Sequence, residues 1–299
     1  MKQDKGPERW ANDLSVLLTT AFGAARFPVD VASLAQKYSQ QVFPDDPITR
    51  VRARGFDGFE GALIPKQDRS GEWGIGYSDS LRLKGRVNFT IAHEFGHYLL
   101  HRKKYPNGFQ CRPEDMVRWD GEYNRVEAEA NRFAAGLLMP LDDFRAQIPA
   151  NCGADFDMLG ACAERYEVSL TAATLRWLSY TQKRAILVVS RDGYILWARS
   201  SEPAFKSGAF IKVAGLPPRE IPLMSPVARN AGNVGLIEPT RLDGGTWLRE
   251  PVTDHSMISE RYDLSLSLLT MEARAPLADI EEEQAEDAVD YLSRFSRSQ

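Results

Sequence analysis

The residues best suited to chemistry lie in one short run, His93-Glu94-Phe95-Gly96-His97, inside the segment NFTIAHEFGHYLLH. On a helix, side chains four apart stack one above the other, so His93 and His97 aim their imidazoles at a common point, as two ligands of one tetrahedral metal must. Glu94, rotated from His93 by about 100°, points to the side of that point. There it is placed to take a proton from an activated water rather than to bind the ion, the division of labour in zinc hydrolases. The chain has only four histidines, and Phe89, Ile91, Ala92, Phe95, Leu99 and Leu100 flank this run. The helix is therefore expected to be largely buried, with histidines that need polar partners. A metal supplies them.

A catalytic metal of this kind needs a third protein ligand. His101 continues the stripe but sits a further turn, about 6 Å, beyond His97, so it is read as a supporting or structural residue. His255 is isolated in the C-terminal region. The better source is the segment EYNRVEAEANRFAAGLLMP, where Glu122, Glu127 and Glu129 compete. Its apolar stripe runs Val126, Ala130, Phe133, Ala134, Leu137, which puts Glu127 at the edge of the buried face and Glu129 farther round toward solvent. Glu127 is the favoured ligand and Glu129 the alternative. Asn131, one turn after Glu127, could hydrogen-bond a ligating histidine or the carboxylate.

These side chains require two helices, expected at about Arg86–Arg102 and Tyr123–Met139, the second closed by Pro140. Ahead of them, residues 8–22 and 29–38 read as amphipathic helices. Short β-like runs at Val42-Phe43, Ala62-Leu63-Ile64 and Trp73–Tyr77 read as a small sheet. Residues 156–181 read as helix, turn, helix. Beyond them the texture becomes mixed: a hairpin around Asp192-Gly193, strand-like segments at Phe210–Val213, Thr246–Arg249 and Leu264–Met271, and a helix at Ile280–Phe295. The expectation is an α+β chain: residues 1–150 carrying the metal site, a helical pair over 151–181, and a smaller mixed α/β domain over 182–299.

The two site segments resemble the signature of the ImmA/IrrE-like metallopeptidases, T-x-A-H-E-x-G-H-x-x-x-H followed by E-x-x-A-N-x-F-A-x-x-L-L-M-P. Here they read Thr90, Ala92, His93, Glu94, Gly96, His97 and His101, then Glu127, Ala130, Asn131, Phe133, Ala134, Leu137, Leu138, Met139 and Pro140. The resemblance covers about residues 25–145, and the helical pair at 156–181 looks like the segment that follows in longer, IrrE-like members. It implies a zincin-like fold, His93, His97 and Glu127 as zinc ligands, and Glu94 as general base. It also implies a substrate, a helix-turn-helix transcriptional repressor whose cleavage relieves repression of stress-response or mobile-element genes, and a GAF-like sensory C-terminal domain. Where the family often has an Asn-bearing strand, this chain has Gly74-Ile75-Gly76-Tyr77. Manganese is the second candidate metal, since His and carboxylate ligands suit both ions. For stabilising the oxyanion the candidates are Tyr77, Tyr98 and His255.

Composition narrows the alternatives. The chain has 299 residues, 43% hydrophobic and 26% charged, ordinary for a folded globular protein. Its net charge of −4 offers nucleic acid or anionic lipid no general attraction. No apolar run approaches the roughly 18 residues that span a bilayer, and the charged N-terminal stretch lacks the features of a secretory signal. The expectation is a cytoplasmic protein. Cys111, Cys152 and Cys162, with no C-x-x-C pair, read as reduced thiols. The competing reading is a DNA-binding regulator with a structural or sensory metal, using SLTAATLRWLSYTQKR as recognition helix. Its basic residues, Arg176, Lys183 and Arg184, are sparse at the N-terminal end, where base contacts are made.

Overall fold

Why the two helices expected to carry the site stand where they do follows from the elements around them in a computed structural model, which describes residues 5–56, 58–66, 71–108 and 120–274. The order is α1 (Pro7–Phe22), a 3-10 turn (Gly23–Arg26), α2 (Val31–Val42), β1 (Ile48–Arg54), β2 (Gly61–Pro65), β3 (Trp73–Ser78), α3 (Lys84–His101), α4 (Asp120–Leu138), α5 (Leu141–Gln147), α6 (Phe156–Tyr166) and α7 (Leu170–Leu178). Then come β4 (Arg184–Arg191), β5 (Tyr194–Ser200), α8 (Glu202–Lys206), β6 (Arg219–Glu220), α9 (Pro226–Arg229), β7 (Gly235–Leu242), β8 (Val252–Ser259) and β9 (Leu264–Met271). Two compact units emerge. Among the described residues, one takes the chain through Asp143 together with Ala163–Ser169, and the other takes Phe144–Cys162 and residues 170–274. The mixed α+β composition is as expected.

In the first unit, α1 begins with Pro7 in its first turn, where the missing N–H costs nothing, and buries Ala11, Leu14 and Leu18 on one face. α2 is capped by the Asp30 carboxylate, which accepts from the Ser33 N–H at 3.1 Å. The small sheet has the order β1-β3-β2, with β1 parallel and β2 antiparallel to β3. Val42 ends α2 and Phe43 caps it, so the expected Val42-Phe43 strand is corrected. The sheet's first strand is instead β1, ITRVRAR, whose exposed arginines hide its pattern. From Thr90 onward α3 is buried nearly all round, and Phe95 and Tyr98 anchor an aromatic cluster with Phe43, Trp73 and Phe133.

The second unit holds a six-stranded antiparallel sheet of order β6-β5-β4-β9-β8-β7. The β4–β5 hairpin turns at Asp192 and Gly193, both at positive φ, the geometry a two-residue hairpin loop needs. Phe210–Val213 and Thr246–Arg249 are irregular rather than strands. Their apolar residues serve another purpose: Ile211 and Trp247 are buried against the sheet with Ile186, Val188 and Leu269. The expected helix at Ile280–Phe295, like Cys111, lies outside the described residues.

Candidate metal centre

α3 presents His93 and His97 one turn apart, and their Nε2 atoms lie 2.8 Å from each other. Glu127, on α4, faces both. Its Oε2 is 3.2 Å from His93 Nε2 and its Oε1 is 3.3 Å from His97 Nε2. One ligand atom from each of the three falls within 4.8 Å of the others, a group that could hold a metal ion. The approach of the helices that makes this possible depends on Gly96. A Cβ at that position would lie 2.9 Å from a Phe133 ring carbon and 3.3 Å from Ala130 Cα, so only the absence of a side chain lets α4 come this close. Glu94, one position after His93, is buried beside the group, and its Oε2 has no hydrogen-bond partner among the described residues.

Over residues 46–178 the chain matches the peptidase M78 family model, described as the IrrE N-terminal-like domain. Across that stretch it is similar to the ImmA/IrrE-like proteins. The match takes in the small sheet, α3 to α7 and both site segments; α1 and α2 precede it. Comparison with curated proteins gave no match.

The donor set of His93, His97 and Glu127 fits a divalent metal. Zinc–ligand bonds of about 2.0–2.1 Å at tetrahedral angles place neighbouring ligand atoms about 3.3 Å apart. The two histidine–glutamate distances of 3.2 and 3.3 Å already match, and the histidine pair at 2.8 Å would open by roughly half an ångström. Three lone-pair-bearing groups this close need a positive charge among them. Without a metal, a proton serves: burial alone would lower His93, but the charge and hydrogen bond of Glu127, with Glu94 and Asn131 behind them, raise it to about 9. Burial and the His93 charge lower His97 to about 4. Burial opposes ionisation of Glu127, yet the two imidazoles hold it well below the usual carboxylate range.

Glu94 differs from Glu127 in its surroundings. Burial raises its pKa to about 8; the His93 charge and a hydrogen bond from the Leu63 backbone N–H offset part of this, and the Glu127 charge adds to it. A cation in the adjacent group would favour the ionised carboxylate. Gly61, on β2, is the residue that makes room for this side chain: a Cβ there would sit 2.7 Å from Glu94 Oε1 and 2.5 Å from Thr90 Cγ2.

The other residues singled out by sequence divide sharply. Asn131 Oδ1 lies 2.9 Å from His93 Nδ1. An amide oxygen only accepts, so it fixes the proton on Nδ1 and frees Nε2 for a metal. Glu129 lies about 200° round α4 from Glu127 and is outside the group; its Oε2 is 3.0 Å from His101 Nε2. Glu122 is on the surface, paired with Lys104. Tyr98 donates its hydroxyl to the Asp46 carbonyl at 2.7 Å, and that occupation removes it from the oxyanion candidates. Tyr77 pairs with Gly61 in the sheet register, while His255 stands on β8 in the other unit. Of the proposed recognition-helix cations, Arg184 is not on a helix. It opens β4, buried, with its guanidinium paired to Glu250 and donating to Ser207.

Sequence reasoning did not find Gly61 or the Leu63 N–H. The one available signal was a glycine at the start of a strand, which marks close approach by a neighbouring group.

Proposed function

We propose that this protein is a zinc-dependent endopeptidase, with His93, His97 and Glu127 holding the metal and Glu94 acting as general base. The observation that carries the reading is the convergence of two imidazoles and one carboxylate beside a second, buried carboxylate with an unpartnered oxygen. When bound, zinc, or manganese in its place, would polarise the scissile carbonyl and lower the pKa of a water toward about 7. Every other part falls to the chain. Asn131 holds the His93 ring with its Nε2 lone pair inward. The Leu63 N–H orients the Glu94 carboxylate, whose free oxygen takes the proton of the attacking water and passes it to the leaving amine.

β2 is an outer strand of its sheet, and its residues Gly61 and Leu63 stand beside Glu94. An extended peptide segment added along that edge would bring a peptide bond next to the general base. The resemblance to the ImmA/IrrE-like family supports a helix-turn-helix transcriptional repressor as substrate, its cleavage relieving repression of stress or mobile-element genes in the cytoplasm. It also supports residues 1–150 as the metallopeptidase domain, 151–181 as a helical extension, and 182–299 as a GAF-like sensory domain. Nucleic acid and membrane have no part in this reading. The described helices include none long and apolar enough to cross a membrane.

The test is to incubate the metal-loaded protein with repressors encoded beside its gene, comparing the parent with Glu94→Gln. A defined cut made only by the parent is expected, with metal bound in both. Cleavage by Glu94→Gln at near the parent rate would remove Glu94 from the role of base.

A further inference from the structure

The two histidines of the centre are held differently. His93 meets Asn131 directly, whereas His97 leads outward through a second histidine to a carboxylate. His97 Nδ1 is 3.0 Å from His101 Nδ1, and His101 Nε2 is 3.0 Å from Glu129 Oε2. We propose that Glu129, acting through His101, fixes which nitrogen of His97 carries the proton and so keeps the His97 Nε2 lone pair turned toward Glu127 and the metal; the inference rests on the metal-site reading above.

A carboxylate oxygen accepts, so the His101 nitrogen facing Glu129 must be the N–H, and Nε2 carries the proton. In a neutral imidazole the other nitrogen is then an acceptor, which makes His101 Nδ1 the lone pair. Two facing nitrogens 3.0 Å apart need one donor and one acceptor, so His97 Nδ1 is the N–H. That leaves the lone pair on His97 Nε2, the nitrogen that lies 2.8 Å from His93 Nε2 and 3.3 Å from Glu127 Oε1. Each assignment forces the next. His101 is 5% exposed, so water competes little for its nitrogens, while Glu129 stands at the rim, where Arg125 Nε lies 4.0 Å from its other oxygen. Glu129 and His101 are thus positioning residues: neither touches the metal group's centre, and both act through His97.

The test uses zinc in competition with a chromophoric chelator, on the full chain as parent, Glu129→Met and Glu129→Gln. Because Glu129 is partly exposed, both variants should fold, which circular dichroism checks. Methionine keeps the length and removes the acceptor, and should weaken zinc binding by roughly 10- to 100-fold. Glutamine keeps an accepting oxygen and should stay within about threefold of the parent. In the metal-free protein, 15N NMR should place the His97 proton on Nδ1 in the parent and shift it toward Nε2 in Glu129→Met. Parent-like zinc affinity in Glu129→Met, or equal weakening in both variants, would overturn the inference while the metal reading stands. A parent that binds no divalent metal would bring down that reading and the inference with it.

Discussion

Replacing Gly61 by Ala would perturb the proposed general base, Glu94, without touching any of the proposed metal ligands. The added Cβ would lie 2.7 Å from Glu94 Oε1 and 2.5 Å from Thr90 Cγ2, against 3.4 Å or more in ordinary contacts. Both side chains sit on α3, packed from behind, so the Glu94 carboxylate must move by about 0.7 Å or turn off its bond from the Leu63 N–H. A misplacement of about 1 Å can cost on the order of 100-fold in rate. The expected loss in kcat/KM is therefore roughly 10- to 100-fold, about 1.4–2.7 kcal/mol of transition-state stabilisation. Crowding should also cost about 1–3 kcal/mol in folding stability. The assay is cleavage of the repressor substrate by the parent, Gly61→Ala, Glu94→Gln and the double variant, with zinc content measured on each. The expected outcome is bound metal throughout and no further loss from Gly61→Ala once Glu94 is already Gln. Full activity in Gly61→Ala, or an undiminished effect in the Glu94→Gln background, would refute it.

Further predictions follow from neighbouring contacts. Asn131→Leu removes the acceptor for His93 Nδ1 and should weaken zinc affinity by roughly 10- to 100-fold in a chelator competition. Gly96→Leu forces α3 and α4 apart at the Phe133 and Ala130 contact; unfolding in urea should show a loss of about 1–3 kcal/mol, accompanied by weaker metal binding. Burial works against the Asp143 carboxylate, but hydrogen bonds from Arg165 and Tyr166 outweigh it and hold its pKa below the ordinary 3.8. A depressed acid contributes stability that is present above its unfolded pKa and lost as pH falls through the folded one. Asp143→Asn should therefore destabilise at pH 7 and flatten the acid limb below about pH 4, read from urea unfolding across pH.

The convergence of the candidate site residues was more legible than the scaffold. His93, Glu94 and His97 could be placed because helical spacing alone decides which of them converge, and Glu127 because Val126 and Ala130 mark the buried face of its helix. What spacing cannot carry is which other chain segment comes near. Gly61 and Leu63 lie some thirty residues upstream of Glu94, and only the folded sheet brings them to it. β8 escaped for a different reason. Its core-facing positions include Asp254 and Ser256, both fully buried and satisfied by each other and by Trp247 and Ser267, so the usual alternation of apolar and polar residues is absent. β7 contains Pro239 and bulges near it, which an edge strand tolerates and a sequence pattern reads as a break. Conversely, Ile211 and Trp247 looked like strand residues because covering a sheet demands the same apolar side chains as joining it.

The central claim is that His93, His97 and Glu127 hold one divalent ion from which Glu94 stands apart. Anomalous diffraction at the zinc edge, from crystals of the zinc-loaded protein, tests it most directly. The account predicts a single strong peak about 2.0–2.2 Å from His93 Nε2, His97 Nε2 and an oxygen of Glu127, with Glu94 outside bonding distance. A peak that lacks Glu127, includes Glu94 as a ligand, or lies elsewhere in the chain would contradict it.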